Sequence, residues 1–385
     1  MKNLRQELEQ RQQQGLYRRR KVMQSPQGRE IIIDGQTVLN FCSNDYLGLA
    51  NHPEVKKAFI DAAQSYGVGS GSAHLVNGHS KLHQQLEEEL ADFCGYPRAL
   101  LFSTGYMANL GVAQSLCGRG DSIIEDKLNH ASLLDAAQLS GGKLLRYVHA
   151  DYSSLHSQLE ASRSDKPREI LVSSDAVFSM DGDEADIRTM AQYCQQYEAW
   201  LMLDDAHGFG VLGDHGKGSL SQQSISPQQV PVYMATLGKA MGTAGAFVAG
   251  PEDLIEYLIQ TARSYIYTTA MPAAVAAASL ASLNILKKGD SKQQSLLHNI
   301  RYFKRLAQQS DIILMPSNTA IQPILVGNAD EALRLSQQLF DKGLHIAAIR
   351  PPTVPKNSAR LRITLRADHT ENDIKGLINT LSDLL

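Results

Sequence analysis

Leu201-Met202-Leu203-Asp204-Asp205-Ala206-His207-Gly208-Phe209-Gly210 runs from an apolar segment into two carboxylates, a histidine and then glycines. Residues 200–203 are too few for a helix and are bounded by polar and small residues, so they read as a buried strand. The acids and the histidine then fall at the carboxyl end of a strand, the edge of an open α/β sheet where ligands bind. Asp204 and His207 leave the strand as it turns, and both can reach one small ligand. Three readings use this set. A strand end with a solvated Asp pair and a hydrogen-bonded His needs no ligand. Asp204, Asp205 and His207 are also ordinary metal ligands, as in a metal-dependent hydrolase. The third is a cofactor with a pyridine ring, whose nitrogen a carboxylate keeps protonated and whose hydroxyl an imidazole can bond.

Outward from this stretch the pattern strand, turn, helix repeats. Residues 99–102, 121–125, 144–148, 169–173, 232–236 and 245–249 read as further short strands. Helices lie between them, for example over 187–197. Alternation of this kind predicts a mostly parallel sheet covered on both faces. Gly105 and Tyr106 open a helix and offer backbone amides to a phosphate. The glycine-rich run 67–72 lacks both nucleotide-loop patterns and reads as a packing turn. Residues 79–93 form an amphipathic helix with Leu82, Leu86, Leu90 and Phe93 on its core stripe. Before all this come an exposed helix within 1–24, the basic cluster Arg18 to Lys21, and a hairpin over 30–41 turning at Asp34-Gly35. After it, a long Ala- and Leu-rich helix from Ala273 leads to strands near 321–326 and 360–364 and helices near 329–342 and 371–384. The expected division is an N-terminal segment 1–45, a large α/β domain 46–275 and a smaller α+β domain 276–385.

The chain has 385 residues, long enough for a large core. Hydrophobic residues are 43%, charged residues 20%, and the formal net charge is −3. That charge argues against nucleic acid as a principal partner. Cys42, Cys94, Cys117 and Cys194 have no metal-ligand spacing and read as reduced, mostly buried thiols. No signal-peptide pattern and no apolar run of membrane-spanning length is legible, so a cytoplasmic protein is expected.

Lys239 follows a strand among Thr236, Gly238 and Gly242. A lysine there is usually a surface residue, but glycines let it fold back over a ligand, and partial burial near a cation lowers an amine's pKa toward nucleophilic use. The segments 204–208, 236–239 and 178–183 (Phe-Ser-Met-Asp-Gly-Asp) together resemble the α-oxoamine synthase family, in family order, and the resemblance extends from Arg18 to Arg362. Members are pyridoxal phosphate enzymes of the fold-type I, aspartate aminotransferase-like class. They condense an amino acid with an acyl thioester and release carbon dioxide. Residues 348–355 and 359–362 resemble the biotin-pathway branch, which takes L-alanine and a pimeloyl thioester of coenzyme A or an acyl carrier protein. The glycine-using branch is the alternative.

The resemblance implies roles position by position. Lys239 matches the Schiff-base lysine and Cα base, Asp204 the partner of the pyridine nitrogen, His207 the bond to the ring hydroxyl, and His130 the imidazole stacked on the ring and touching substrate. Gly105, Tyr106, Ser179 and Thr236 match further cofactor contacts. Asn44 and Arg362 match the grip on the amino acid carboxylate, for which a guanidinium fork suits. Arg18 and Thr353 match the acyl end. Thr268 or Thr269 resembles the hydroxyl that reaches the neighbouring subunit's phosphate, which implies a homodimer with interface active sites. Arg350 reads equally as a structural residue. Asp175 departs from the family's usual Glu, which places in doubt any contact made by the longer side chain.

Overall fold

The computed structural model describes residues 2–289 and 291–385, which fall into two compact units. One is formed by Leu49–Ser179 and Glu184–Gln293; the other by the described residues through Gly48 with Met180–Asp183 and Gln294–Leu385. Along the chain the strands are Glu30–Ile33 (β1), Gln36–Asn40 (β2), Arg98–Phe102 (β3), Ser122–Asp126 (β4), Lys143–Tyr147 (β5) and Ile170–Asp175 (β6). They continue with Trp200–Asp204 (β7), Val232–Thr236 (β8), Ala246–Gly250 (β9), Ile321–Gly327 (β10), Leu344–His345 (β11), Ala347–Ile349 (β12) and Ala359–Thr364 (β13).

The larger unit is built on a seven-stranded sheet in the order β3-β9-β8-β7-β6-β4-β5. Only β9 runs against its neighbours; the pairs β8–β7, β7–β6, β6–β4 and β4–β5 are parallel. Strands β4, β6 and β9 are buried at every position, as expected where helices cover both faces and no alternation with solvent is needed. Their apolar side chains meet helices Gly105–Leu116, Ala131–Ser140 and Glu252–Thr261 in one core that includes Phe102, Val112, Leu133, Leu171, Met202, Val248 and Leu258. Because β3, β4, β6, β7 and β8 point the same way, their carboxyl ends share one edge. The segments after them carry Gly105, His130, Asp175, Asp204 and Lys239.

The helix read over 79–93 spans Lys81–Cys94, with Leu86, Leu90 and Phe93 buried. A π-helical turn, His74–Gly78, precedes it. The helix begun at Ala273 ends at Lys288, and a separate one covers Ser291–Gln309. Gly289 between them has φ 144°, a backbone conformation that interrupts a helix.

In the smaller unit β1 and β2 pair as the expected hairpin, and β11 joins β2 in parallel. Strands β10, β13 and β12 form an antiparallel sheet. Arg366, 1% exposed, is fixed there by Asp45 and Asp368 at 3.1 and 2.8 Å. The N-terminal helix Leu4–Gln13 has no buried residue. All four cysteines are free; Cys117 and Cys194 are buried, Cys42 and Cys94 only partly so. Among the described residues no helix is long and apolar enough to cross a membrane.

Candidate active site

Asp204 is the last residue of β7 and is 4% exposed. Its Oδ1 accepts from Ala206 N at 3.0 Å and its Oδ2 from Asn109 Nδ2 at 2.8 Å. Both oxygens thus serve as hydrogen-bond acceptors, the capacity needed to hold a pyridinium proton. Four residues on, the backbone turns tightly enough that Gly208 admits no side chain: a Cβ there would lie 2.1 Å from Asp205 Oδ1. His207, buried, brings Nε2 to within 2.7 Å of Lys239 Nζ.

Lys239 reaches this position from the end of β8. Thr236 Oγ1 accepts from Gly238 N at 3.3 Å and donates to Gly245 O at 3.0 Å, pinning the loop at its start. Gly242 closes it with φ 67°, and a Cβ there would meet Ala50 N at 2.3 Å, so only glycine fits. The glycines flanking the lysine therefore serve close backbone packing as well as reach.

Asp205 has a different fate from its neighbour. It is fully buried and accepts from Ser219 N, Ser219 Oγ and Tyr233 OH at 2.8, 2.6 and 2.7 Å. Burial pushes its carboxyl up to about 6, against the pull of those donors. Asp204, Asp205 and His207 thus do not form one ligand set, which removes the geometric basis for the metal-dependent hydrolase. The residue is a structural brace beneath the turn.

His130 follows β4 and caps helix Ala131–Ser140. Its backbone N donates to Asp175 Oδ2 at 2.6 Å, and its Nδ1 is 2.8 Å from Ser132 Oγ. Asp175 pairs in register with Asp204 across β6 and β7. Burial, with Asp204 close by, drives the Asp175 carboxyl well above its usual range. The shorter Asp thus makes a direct contact of its own with the His130 amide. Gly105 and Tyr106 are the first two residues of helix Gly105–Leu116, where N–H groups lack intrahelical acceptors; Thr104 caps the next turn by accepting from Met107 N at 3.1 Å. The Tyr106 hydroxyl bonds Asp135. Ser179 is partly buried just beyond β6. Thr269 has its backbone bridged to Ala73.

The expected substrate residues lie in the smaller unit. Arg362 on β13, 6% exposed, donates to Asn44 Oδ1 from both terminal nitrogens at 3.3 and 3.2 Å and to Thr364 Oγ1 at 3.1 Å. Tyr46 OH reaches the same Asn44 oxygen at 3.3 Å. Arg18 Nη2 donates to Thr353 Oγ1 at 3.4 Å. Both line a cleft of about 750 Å³ with Arg19, Lys21 and Arg350. Arg350 donates to Tyr17 O at 2.8 Å, so it tethers the N-terminal segment.

His74, His79 and His83 form a second titratable cluster. His74 and His79 bring their Nδ1 atoms to 2.9 Å, but both His83 nitrogens are engaged, Nδ1 by Ser80 N and Nε2 by Met271 O. Sequence reasoning missed Asn109 and Ser132. The available signal was a lone Asn within the small, apolar helix Gly105–Leu116.

Residues 36–381 match the family model described as aminotransferase class I and II. The chain belongs to that family. Curated members similar to it include the 8-amino-7-oxononanoate synthase of Thioalkalivibrio sulfidiphilus, 54% identical over 381 residues, covering 99% of this chain and 97% of the relative. That of Nitrosococcus oceani is 54% identical over 379 residues, covering 98% and 100%. Among solved structures, a serine palmitoyltransferase of S. paucimobilis with a bound PLP–myriocin adduct superposes with a TM-score of 0.93 at 28% identity, covering 99% of this chain and 96% of its own. The 8-amino-7-oxononanoate synthase of Francisella tularensis gives a TM-score of 0.78 at 34% identity, covering 90% and 97%. The fold is thus the fold-type I class that the family resemblance implied.

Proposed function

We propose that this class I and II aminotransferase family member catalyses the decarboxylative condensation of L-alanine with a pimeloyl thioester, the biotin-pathway reaction that yields 8-amino-7-oxononanoate, with pyridoxal phosphate as cofactor. The observation that carries the reading is full-length identity of 54% to relatives bearing that name. The donor set fits the cofactor: a buried carboxylate at the strand end, an amine and an imidazole 2.7 Å apart, and the amide-bearing start of a helix.

Bound there, pyridoxal phosphate supplies an aldehyde for amines and a protonated ring that draws electrons from the substrate α-carbon. Asp204 holds the proton on the ring nitrogen. His207 bonds the ring hydroxyl and keeps Lys239 Nζ oriented. Lys239 binds the aldehyde, then takes and returns the proton at alanine Cα. Gly105, Tyr106 and Thr236 bind the phosphate, and Ser179 contacts the ring substituents. His130 covers the ring and touches the substrate. Arg362 and Asn44 grip the alanine carboxylate, while Arg18 and Thr353 bind the acyl end. The working protein is a cytoplasmic homodimer, in which Thr268 or Thr269 reaches the partner subunit's phosphate.

The test is turnover of purified, cofactor-loaded protein with pimeloyl-CoA and either alanine or glycine, read by mass spectrometry. Product from alanine and thioester, with loss of one carbon dioxide, is expected. Preference for glycine would assign the sister reaction.

A further inference from the structure

Asn109 is fully buried, and its Nδ2 donates both to Asp204 Oδ2 and to Ser132 Oγ, each at 2.8 Å. An ionised carboxylate only accepts hydrogen bonds, so Asp204 dictates which end of the Asn109 amide faces it. Turning the amide over would set two acceptors against each other in a buried place. Both Nδ2 hydrogens are then spent, one on Asp204 and one on Ser132. Asn109 Oδ1, by contrast, is buried without a partner, which the strength of the other two bonds must offset.

The order continues outward. Ser132 is 1% exposed, and its hydroxyl, having accepted from Asn109, retains its own proton to give. His130 Nδ1 lies 2.8 Å away, and it also accepts from Ser132 N at 3.3 Å. A ring nitrogen that accepts two hydrogen bonds carries no proton. In a neutral imidazole the proton then sits on Nε2. Burial, the largest influence, and Lys239 hold the His130 pKa below its ordinary value against the opposing pull of Asp204, so the neutral ring prevails. The His130 backbone is fixed independently by Asp175.

We infer that Asn109 and Ser132 form a one-way hydrogen-bond chain from Asp204 to His130 that fixes His130 as the Nε2–H tautomer. Asn109 and Ser132 are positioning residues in it. One group thus sets two roles: the carboxylate that answers the ring nitrogen also decides that His130 presents a donor, not an acceptor, at Nε2. Such a donor suits a substrate carboxylate or thioester carbonyl oxygen. That consequence rests on the proposed reaction; the tautomer does not.

The deciding experiment is ¹⁵N correlation spectroscopy of the full-length, cofactor-loaded protein labelled at histidine, with His130→Gln used to identify the His130 signals. At neutral pH we expect an unprotonated Nδ1 and a protonated Nε2. Asn109→Asp must share a proton with Asp204 and presents an acceptor to Ser132, so Ser132 donates inward and accepts from His130; the tautomer should invert to Nδ1–H. Ser132→Ala removes the hydroxyl and should raise the Nδ1–H fraction several-fold, and Ser132→Thr should restore the original state. Nδ1–H in the unaltered protein, or an unchanged tautomer in folded Ser132→Ala, overturns the chain. If Asn109→Asp does not fold, the Ser132 pair decides alone. Nε2–H at His130 in a protein that fails to condense alanine with pimeloyl-CoA would refute the reaction while leaving the chain intact.

Discussion

His207 Nε2 stands 2.7 Å from Lys239 Nζ, although the two residues are 32 positions apart and come from the ends of different strands. Parallel pairing of β7 with β8 sets both strand ends on one edge, and the closure at Gly242 then brings the lysine back over it. Contact at this distance joins an imidazole to the amine proposed as the Cα base.

Replacing Lys239 by Ala should therefore stop turnover while leaving the fold intact, a loss of about 10³-fold or more, as expected for removal of a group proposed as both base and nucleophile. Borohydride reduction of the loaded protein followed by peptide mapping should place the pyridoxyl group on Lys239. A label on another lysine would contradict the assignment.

For Asp204→Asn we expect cofactor binding to survive better than chemistry. An amide cannot hold a proton on the ring nitrogen, and loss of a preorganised charge at a reacting centre costs on the order of 3–4 kcal/mol, or about 10²–10³ in rate. Exchange of the alanine Cα proton into deuterated water measures the step directly. Near-normal exchange in the variant would sink the role.

Asp205 should behave oppositely, affecting stability before catalysis. Its oxygens accept from three donors, and Asp205→Asn turns an amide N–H₂ toward at least one of them, at a cost of about 1–3 kcal/mol. Burial pushes the carboxyl up to about 6 in the folded protein, above the ordinary aspartate value. A group raised in this way contributes stability that is fully present below the unfolded value and is lost as pH rises through the folded one. The stability advantage over Asp205→Asn should thus shrink between pH 4 and pH 7, by on the order of 2–3 kcal/mol. Melting curves of both proteins across that window, showing a constant gap, would refute this account.

The two buried arginines of the smaller unit should separate in the same way. Arg366 is clasped by Asp45 and Asp368, so Arg366→Met strands two acids and should destabilise by about 3–5 kcal/mol. Arg362 donates to neutral oxygens of Asn44 and Thr364. Arg362→Lys loses the planar fork and should weaken alanine binding by about 2–5 kcal/mol with a smaller change in melting temperature. Alanine titrations beside thermal melts distinguish the cases; normal affinity in a less stable Arg362 variant would make it structural.

Residue order alone determined the strand-and-turn edge on which this chemistry rests. Short apolar runs ending at Asp204 and Thr236 read as buried strands, and the glycines around Lys239 marked a backbone that lets the lysine fold back over a ligand. The helix start at Gly105 and Tyr106 was legible for the same reason, since local hydrogen bonding and periodicity operate within a few residues. Tertiary structure decided what each of two adjacent acids does. Asp204 takes its donor from Asn109, 95 positions away, and Asp205 takes one from Tyr233, 28 positions away, so the identical side chains acquire different tasks. Tertiary structure also placed β9 antiparallel between β3 and β8, and it set Asp175 beneath His130. Sequence periods report which face of an element is apolar; they carry no record of which distant polar atom will meet a buried carboxylate, because that partner is chosen only when the strands and helices pack.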